Sequence, residues 1–307
     1  MKYDLIIIGG GPAGVSAGVY AARKKLKTLL IAPEFGGQSV VSDGIENWIG
    51  TVKISGHDLA QNLKAHILAY AGDSVEVKEG DAVNDIQKVQ DGYKVISDKG
   101  EFETKTILIT TGSTRRKLEV PGAEQFDNKG LTYCASCDGP LFSDQDVVVI
   151  GGGNAAFESA AQLLAYCKSV TVLNRSDKFK ADEVTIEKLR SNPKLKIITN
   201  AVPKEIKGDG FVNSIIYTDA LTKEETEIQT SGIFVEIGLI PTTYFAKNIL
   251  ELNSIGQIPV DPRTQKTNVT GVWAAGDCTD GLYHQNNIAS GDAVKALEDI
   301  YVTLHTK

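Results

Sequence analysis

Two stretches decide the reading of this chain: DLIIIGGGPAG, residues 4 to 14, and DVVVIGGGNAA, residues 146 to 156. The second echoes the first after 142 residues. Each joins a short continuous apolar run, Leu5 to Ile8 and Val147 to Ile150, to a glycine turn and then to a long helical pattern. A strand that is apolar at every position is buried on both faces, and a strand, glycine turn and helix in that order open a doubly wound parallel sheet. A second apolar run follows each helix, KTLLIA at 27 to 32 and SVTVLN at 169 to 174, as a βαβ unit requires.

The predicted fold class is therefore α/β, with two Rossmann-like dinucleotide-binding domains. A chain of 307 residues has room for two such cores. Strand-like stretches (SVEVKEG, GYKVISDKG, TILITTGS) alternate with turns between the two echoes. RRKLEVPGAEQF, from Arg115 to Phe126, looks like a connector leaving the first domain. Beyond the second echo come a helical stretch near Asp182 to Leu189 and strands at KLKIITNA, FVNSIIYT and GIFVEIGLIP. TNVTGVWAAGDC and a helix from about Gln285 to Leu304 resemble neither unit, and are expected to return to the first domain. The second domain is then inserted: residues 1–114 and 246–307 form one, residues 115–245 the other.

The composition, 42% hydrophobic and 23% charged, is that of a globular protein. A formal net charge of -7 argues against nucleic acid or an anionic membrane as partner, since both need a basic face. The apolar N-terminus is interrupted by glycines and has no small-residue cleavage site in the usual frame, so it reads as a buried strand rather than an export signal. The expected location is the cytoplasm, where structural disulfides are rare.

The first turn fills G-x-G-x-x-G. Gly9 allows the tight turn, Gly11 lets the backbone approach a pyrophosphate, and Gly14 permits close helix-to-strand packing. Pro12 and Ala13 open the helix, where a proline's missing N–H costs nothing and the free N–H groups meet phosphate. The second turn, G-x-G-x-x-A, has Gly151, Gly153 and Ala156, with Ala155 before the last and Asn154 placed to cap the helix. After the next strand come Asn174, Arg175, Ser176, Lys178 and Lys180. No carboxylate at the strand end holds a ribose 2′-hydroxyl and basic residues suit a 2′-phosphate, so NADPH is preferred over NADH; a plain solvated basic loop is the alternative.

Cys134 and Cys137, in YCASCDGP at 133 to 140, are two of only four cysteines. Zinc needs about four ligands, and Cys167, Cys278 and the histidines lack ligand spacing. A staple closing so short a loop removes little unfolded-state entropy. A redox-active dithiol fits better, because Cys-x-x-Cys lowers a thiol pKa and lets the disulfide exchange with a partner's.

CASCDGP lies between the two glycine turns, with GGQ at 36 to 38, ENW at 46 to 48, TTGS at 110 to 113 and AAGD at 274 to 277. This ordered set, covering essentially the whole chain, resembles the low-molecular-weight thioredoxin reductases, class II pyridine nucleotide-disulfide oxidoreductases. It also looks like the flavoprotein portion of alkyl hydroperoxide reductases. Their flavoprotein carries an extra N-terminal dithiol domain, and its absence from this sequence favours the thioredoxin reductases. The resemblance implies FAD in the first domain, NADPH in the inserted one and a homodimer, with electrons passing from NADPH to flavin, to the Cys-x-x-Cys disulfide, and then to thioredoxin. By motif position Cys137 faces the flavin and Cys134 attacks thioredoxin. Asp138 is then the acid/base, although Asp-Gly-Pro is also a turn sequence. Gln38 and Asn47 carry over as flavin neighbours, with Gly37, Thr111, Gly112 and Gly276 in the same motifs, and Glu34 and Val83 as contacts to the adenosine half. Asp277 is suited to accept hydrogen bonds from flavin-side hydroxyls, and a helix starting near Gln285 and Asn286 aims its positive end at the ring. Arg115 and Phe245 are the expected hinge pair for rotation between the domains.

The match thins in the basic loop, where the family shows His-Arg-Arg and a later Arg. This chain has Asn174, Arg175 and Ser176, then Lys180. Lysine supplies charge without the planar fork, so the grip on a 2′-phosphate is weaker and NADH or a ferredoxin stands as an alternative donor. A peroxiredoxin-system reductase is the rival enzyme, and a flavin-bound redox sensor the rival outside enzymes. His284 is read as a helix-flanking surface residue, and Cys167 and Cys278 as buried packing.

Overall fold

The computed structural model describes residues 2–42, 44–72 and 74–306. The chain divides into two compact units, residues 1–114 with 240–307, and residues 115–239. Each encloses its own cores.

The first unit begins with β1 (Lys2–Gly10), α1 (Pro12–Arg23), β2 (Thr28–Phe35), α2 (Gly56–Tyr70) and β3 (Val75–Glu79). It continues through β4 (Val83–Val89), β5 (Gly92–Ser97), β6 (Gly100–Ile109) and β7 (Ser113–Arg115). The second unit holds β8 (Leu131–Thr132), α3 (Ala135–Asp138), β9 (Asp146–Ile150), α4 (Asn154–Leu163), β10 (Ser169–Leu173), α5 (Glu183–Arg190) and β11 (Leu195–Ile198). There follow β12 (Ala201–Asp209), β13 (Phe211–Asp219), β14 (Glu225–Gln229), β15 (Gly232–Val235) and β16 (Leu239–Pro241). The chain is back in the first unit from residue 240 and completes it with β17 (Val272–Ala274) and α6 (Asn286–His305).

In the first unit the strands run in the order β3-β2-β1-β6-β5-β4, with β17 also on β6. β6 is long enough to serve two partners on one edge, antiparallel β5 opposite Thr104 and parallel β17 from Ile107 onward. The continuous apolar run of β1 splits by its period of two. Leu5 and Ile7 join the core under α1, α2 and α6. Ile6 and Ile8 join the core on the other face with Val95, Ile107 and Phe245. Sheet faces buried on both sides explain why no polar alternation appears in this strand.

The second unit repeats the scheme with the order β11-β10-β9-β15-β8, all neighbours parallel. Val147 and Val149 pack beneath α4, whereas Val148 and Ile150 pack against the antiparallel β12-β13-β14 layer. The fold class is thus two Rossmann-like units. GIFVEIGLIP, read as one strand, is broken into β15 and β16. Phe245 and Ala246 are buried in the first unit's core, so residues 240–245 belong there and not to the inserted piece. The crossing that pairs with Arg115 is therefore near Leu239, not Phe245. No helix among the described residues is long and apolar enough to cross a membrane.

Candidate active site

The glycines of the first turn separate into those the fold needs and one it does not. Gly9 has φ +121°, and a Cβ there would strike the Thr110 carbonyl. A Cβ on Gly14 would strike the Gly9 carbonyl. Gly11 has an ordinary φ of -76°, and the nearest atom to a Cβ there would be Gly37 Cα at 3.9 Å. Neither strain nor packing explains Gly11; what its missing side chain leaves open is the start of α1, where Pro12 takes the first position and no side chain caps the N–H groups. That is the requirement for bringing a pyrophosphate onto a helix N-terminus, so the residues fit a bound dinucleotide.

Around this turn several distant segments of the first unit converge. Gln38 Nε2 donates to Asp277 Oδ2 and to Ser113 Oγ, each at 3.2 Å. Asn47 Nδ2 donates to Gln285 Oε1 at 3.1 Å, and Asn287 Nδ2 to the Asn47 carbonyl at 2.7 Å. Asn286, the first residue of α6, donates to Ser39 Oγ at 2.9 Å. A Cβ on Gly276, whose φ is +78°, would lie 3.5 Å from the Ala13 Cβ. Thr111 Oγ1 donates to the Thr242 carbonyl at 2.6 Å, and the Gly112 carbonyl accepts from Thr242 N at 3.0 Å, which anchors the returning chain. Glu34, exposed at the end of β2, and Val83, buried at the start of β4, stand apart from this hydrogen-bonded group. His284 departs from its surface reading. Its Nδ1 lies 3.5 Å from Asp277 Oδ1, and both side chains are only about a quarter exposed.

The second turn has the same division of labour. Gly151 (φ +151°) abuts the Glu236 carbonyl and the Ala156 methyl, while none of the described residues lies within 4 Å of a Cβ on Gly153. Gly153, not Asn154, is the N-cap of α4. Asn154 is the first helical residue, with Ala155 exposed beside it, and its Oδ1 accepts from Asp182 N at 2.8 Å, tying the turn to the start of α5. Asn174, which stands where the family shows the His of its basic loop, is buried. Its carboxamide donates to the Ser176 and Lys178 carbonyls, both at 2.9 Å, and packs on Gly152. It is scaffold because the chain turns sharply at the strand end and its backbone carbonyls need donors there. Lys180 N bonds the Gly152 carbonyl at 2.7 Å, so the loop folds back on the glycine turn with Arg175 and Lys180 exposed on it. Asp177 is exposed in the same loop.

Cys134 and Cys137 are joined in a disulfide with a Cα separation of 5.3 Å, and both are half-buried. Thr132, buried at the end of β8, links the pair to the expected acid/base: its hydroxyl donates to Asp138 Oδ2 and accepts from Cys134 N at 3.2 Å. The other two thiols are core groups. Burial pushes Cys167 up to about 11 and Cys278 up to about 12, so both stay protonated and inert at neutral pH.

Sequence reasoning missed Thr132, the Asp277–His284 contact and Glu236. Glu236 follows β15 and accepts from Ser159 Oγ at 2.7 Å. Its signal was a lone acid inside an otherwise apolar stretch.

Two nucleotide-type glycine turns on successive doubly wound units, one bearing a Cys-x-x-Cys disulfide, define a class of redox flavoenzyme folds. The chain belongs to the pyridine nucleotide-disulphide oxidoreductase family, whose model matches residues 3–293. It is 43% identical over 295 residues to a component of the alkyl hydroperoxide reductase of Staphylococcus aureus, and 41% identical over 295 residues to a protein named NADH dehydrogenase in Bacillus subtilis. In both comparisons 96% of this chain is matched, and it spans 57% of the relative's length. Among solved structures, the thioredoxin reductase of Streptococcus pyogenes is similar over 100% of this chain and 99% of its own, with a TM-score of 0.89 and 34% identity. The structural neighbours are low-molecular-weight thioredoxin reductases, and the family implies a flavin and a nicotinamide nucleotide.

Proposed function

We propose that this protein is a flavin-dependent disulfide reductase that takes electrons from NADPH and delivers them to thioredoxin. The observation that carries the reading is the Cys134–Cys137 disulfide, coupled through Thr132 to Asp138 on the same compact unit as a second nucleotide-type turn. In this reading FAD is held by Gly9, Gly11 and Gly14 with Gln38, Asn47, Asp277, Gln285 and Asn286, and NADPH by Gly151, Gly153, Arg175 and Lys180. FAD bound there supplies a two-electron carrier between nicotinamide and disulfide.

The chain's own residues then do the sulfur chemistry. Once the Cys134–Cys137 bond has been reduced, the Cys134 thiolate attacks one sulfur of the partner's disulfide. The partner's S–S bond breaks, and its leaving sulfur takes a proton supplied by Asp138. Cys137 then attacks Cys134 in the mixed disulfide, re-forms the internal bond and releases the partner's second thiol. Thr132 positions the Asp138 carboxyl for that transfer. The working form we propose is a cytoplasmic homodimer.

One set of observations favours a second reading, an NADH-driven reductase of a peroxiredoxin system. Two relatives carry the names of alkyl hydroperoxide reductase and NADH dehydrogenase, and Asp177 sits in the loop that carries Arg175 and Lys180. Anaerobic bleaching of the flavin by NADPH and by NADH, compared at equal concentrations, separates the two. Faster bleaching by NADPH and turnover with thioredoxin are expected. Cys134→Ser is expected to leave bleaching intact and to abolish turnover, and unchanged turnover in that variant refutes the assignment.

A further inference from the structure

In the second unit β9 is followed in sequence by β10 on one side, while its neighbour on the other side is β15. The strand order reverses between β9 and β15, and an open parallel sheet presents its ligand crevice beyond the carboxyl ends of such a pair. A dinucleotide with its pyrophosphate on Gly153 and its adenosine end toward Arg175 and Lys180, beyond β10, would carry its nicotinamide to the β15 side. Glu236 is the first residue past β15. It is held there on three sides: its N–H bonds the Ile150 carbonyl at 2.8 Å, its carbonyl abuts Gly151, and its Oε1 accepts from Ser159 of α4 at 2.7 Å. Burial raises its pKa; the Glu158 carboxylate acts in the same direction, and the Ser159 hydrogen bond and the Arg115 guanidinium oppose it.

We propose that Glu236 reads the charge of the nicotinamide ring, its carboxylate favouring the oxidised, cationic ring over the neutral dihydronicotinamide. The proposal rests on the nucleotide reading of this unit. Hydride departure carries two electrons and one proton from the ring's C4 to the flavin, and the ring left behind is positively charged. A half-buried carboxylate at the crevice acts on that charge through a lower dielectric than water, and it has no comparable hold on the neutral ring. It therefore contributes selectively as charge develops, which a group binding both forms equally does not do. The crevice is then polarised to match its ligand. Arg175 and Lys180 face the phosphate end, and Glu236 the end that becomes cationic.

Equilibrium titration of the flavin-loaded protein tests this with three probes: NADP+, the redox-inert 1,4,5,6-tetrahydro-NADP, and 2′,5′-ADP, which lacks the nicotinamide. Glu236→Gln keeps an acceptor for Ser159 and removes the charge. It is expected to weaken NADP+ about tenfold and to leave the tetrahydro form and 2′,5′-ADP within about twofold. Unchanged 2′,5′-ADP binding shows that the variant's site is folded, and NAD+ in place of NADP+ should show the same loss because the ring is common to both. Equal loss for oxidised and reduced probes, or no loss for either, overturns the role of Glu236 while leaving the nucleotide site standing. A wild-type protein that binds none of the probes, NAD+ included, overturns the nucleotide reading and this proposal with it.

Discussion

Thr132 shows how much of a redox site depends on one side chain that carries no redox chemistry. Its hydroxyl donates to Asp138 and accepts from the Cys134 amide, so both partners of the dithiol reaction are held by the same oxygen. Hydrogen bonds to a charged group contribute about 1.5–3 kcal/mol, and losing one from a buried site is costly. Thr132→Val should lower disulfide-reducing turnover about tenfold and move its pH profile, with flavin reduction unchanged. An unmoved profile assigns Thr132 to packing alone. Glu236 gives a second test at this scale. Its pKa is raised in the folded protein by burial, so folding favours the protonated form; stability from that group is fully present below the unfolded carboxyl value and is lost as pH rises through the folded one. Glu236→Gln should therefore raise the melting temperature at neutral pH, with the gain shrinking as pH is lowered into the carboxylate range. Thermal melts across that range check it. Neither residue was legible in the sequence. Thr132 meets Asp138 only because a two-residue strand, β8, is fixed by pairing with β15 about a hundred residues later, and Glu236 sat within an apolar stretch that read as uninterrupted strand.

At the scale of elements, the two strand-turn-helix units were legible because several independent constraints coincide in them. Leu5 and Ile7 face one core and Ile6 and Ile8 the other, so every position must be apolar, while Gly9 and Gly14 must be glycine to avoid their own backbone. Gly11 and Gly153 obey a different rule, since among the described residues no atom excludes a methyl there. Gly11→Ala should cost the fold about 1 kcal/mol, the penalty for a poor N-cap, and yet abolish retention of flavin. Gly14→Ala should prevent the first unit from folding. Comparing the soluble yield, far-ultraviolet circular dichroism and flavin content of the two variants checks both expectations, and a Gly11→Ala protein that keeps its flavin removes the argument for a close pyrophosphate. α2 went unread although its signals are ordinary. Ser55 accepts from Asp58 N at 3.0 Å as an N-cap, and Leu59, Leu63 and Ile67 fall on one face. No glycine motif drew attention to that segment. The cap of α4 was misplaced by one residue because Gly and Asn are both good N-caps, and only the extended backbone of Gly153 distinguishes them.

For the whole molecule, the division into two units predicts how ligands distribute their stabilisation. Each unit closes its own cores, the first around β1 and β6 and the second around β9 and β15, and the chain passes between them only near residues 114 and 239. The echo between residues 4–14 and 146–156 made this duplication legible, whereas the return point was not, because Phe245 and Ala246 are as apolar as the strand before them and only packing assigns them to the first unit. A ligand held by the native state of one unit stabilises that unit by mass action, by about 2.7 kcal/mol at a hundred times its dissociation constant. NADP+ at that excess should slow hydrogen exchange in the slowest amides of β9, β10 and β15 by about a hundredfold, with β1, β2 and β6 unaffected. Removal of flavin should do the opposite, speeding exchange in β1, β2 and β6 and sparing the second unit. Exchange read peptide by peptide on the intact chain distinguishes the cases. Protection by NADP+ spread evenly over both units would mean that the two cores open together, and the assignment of one nucleotide to each would lose its energetic basis.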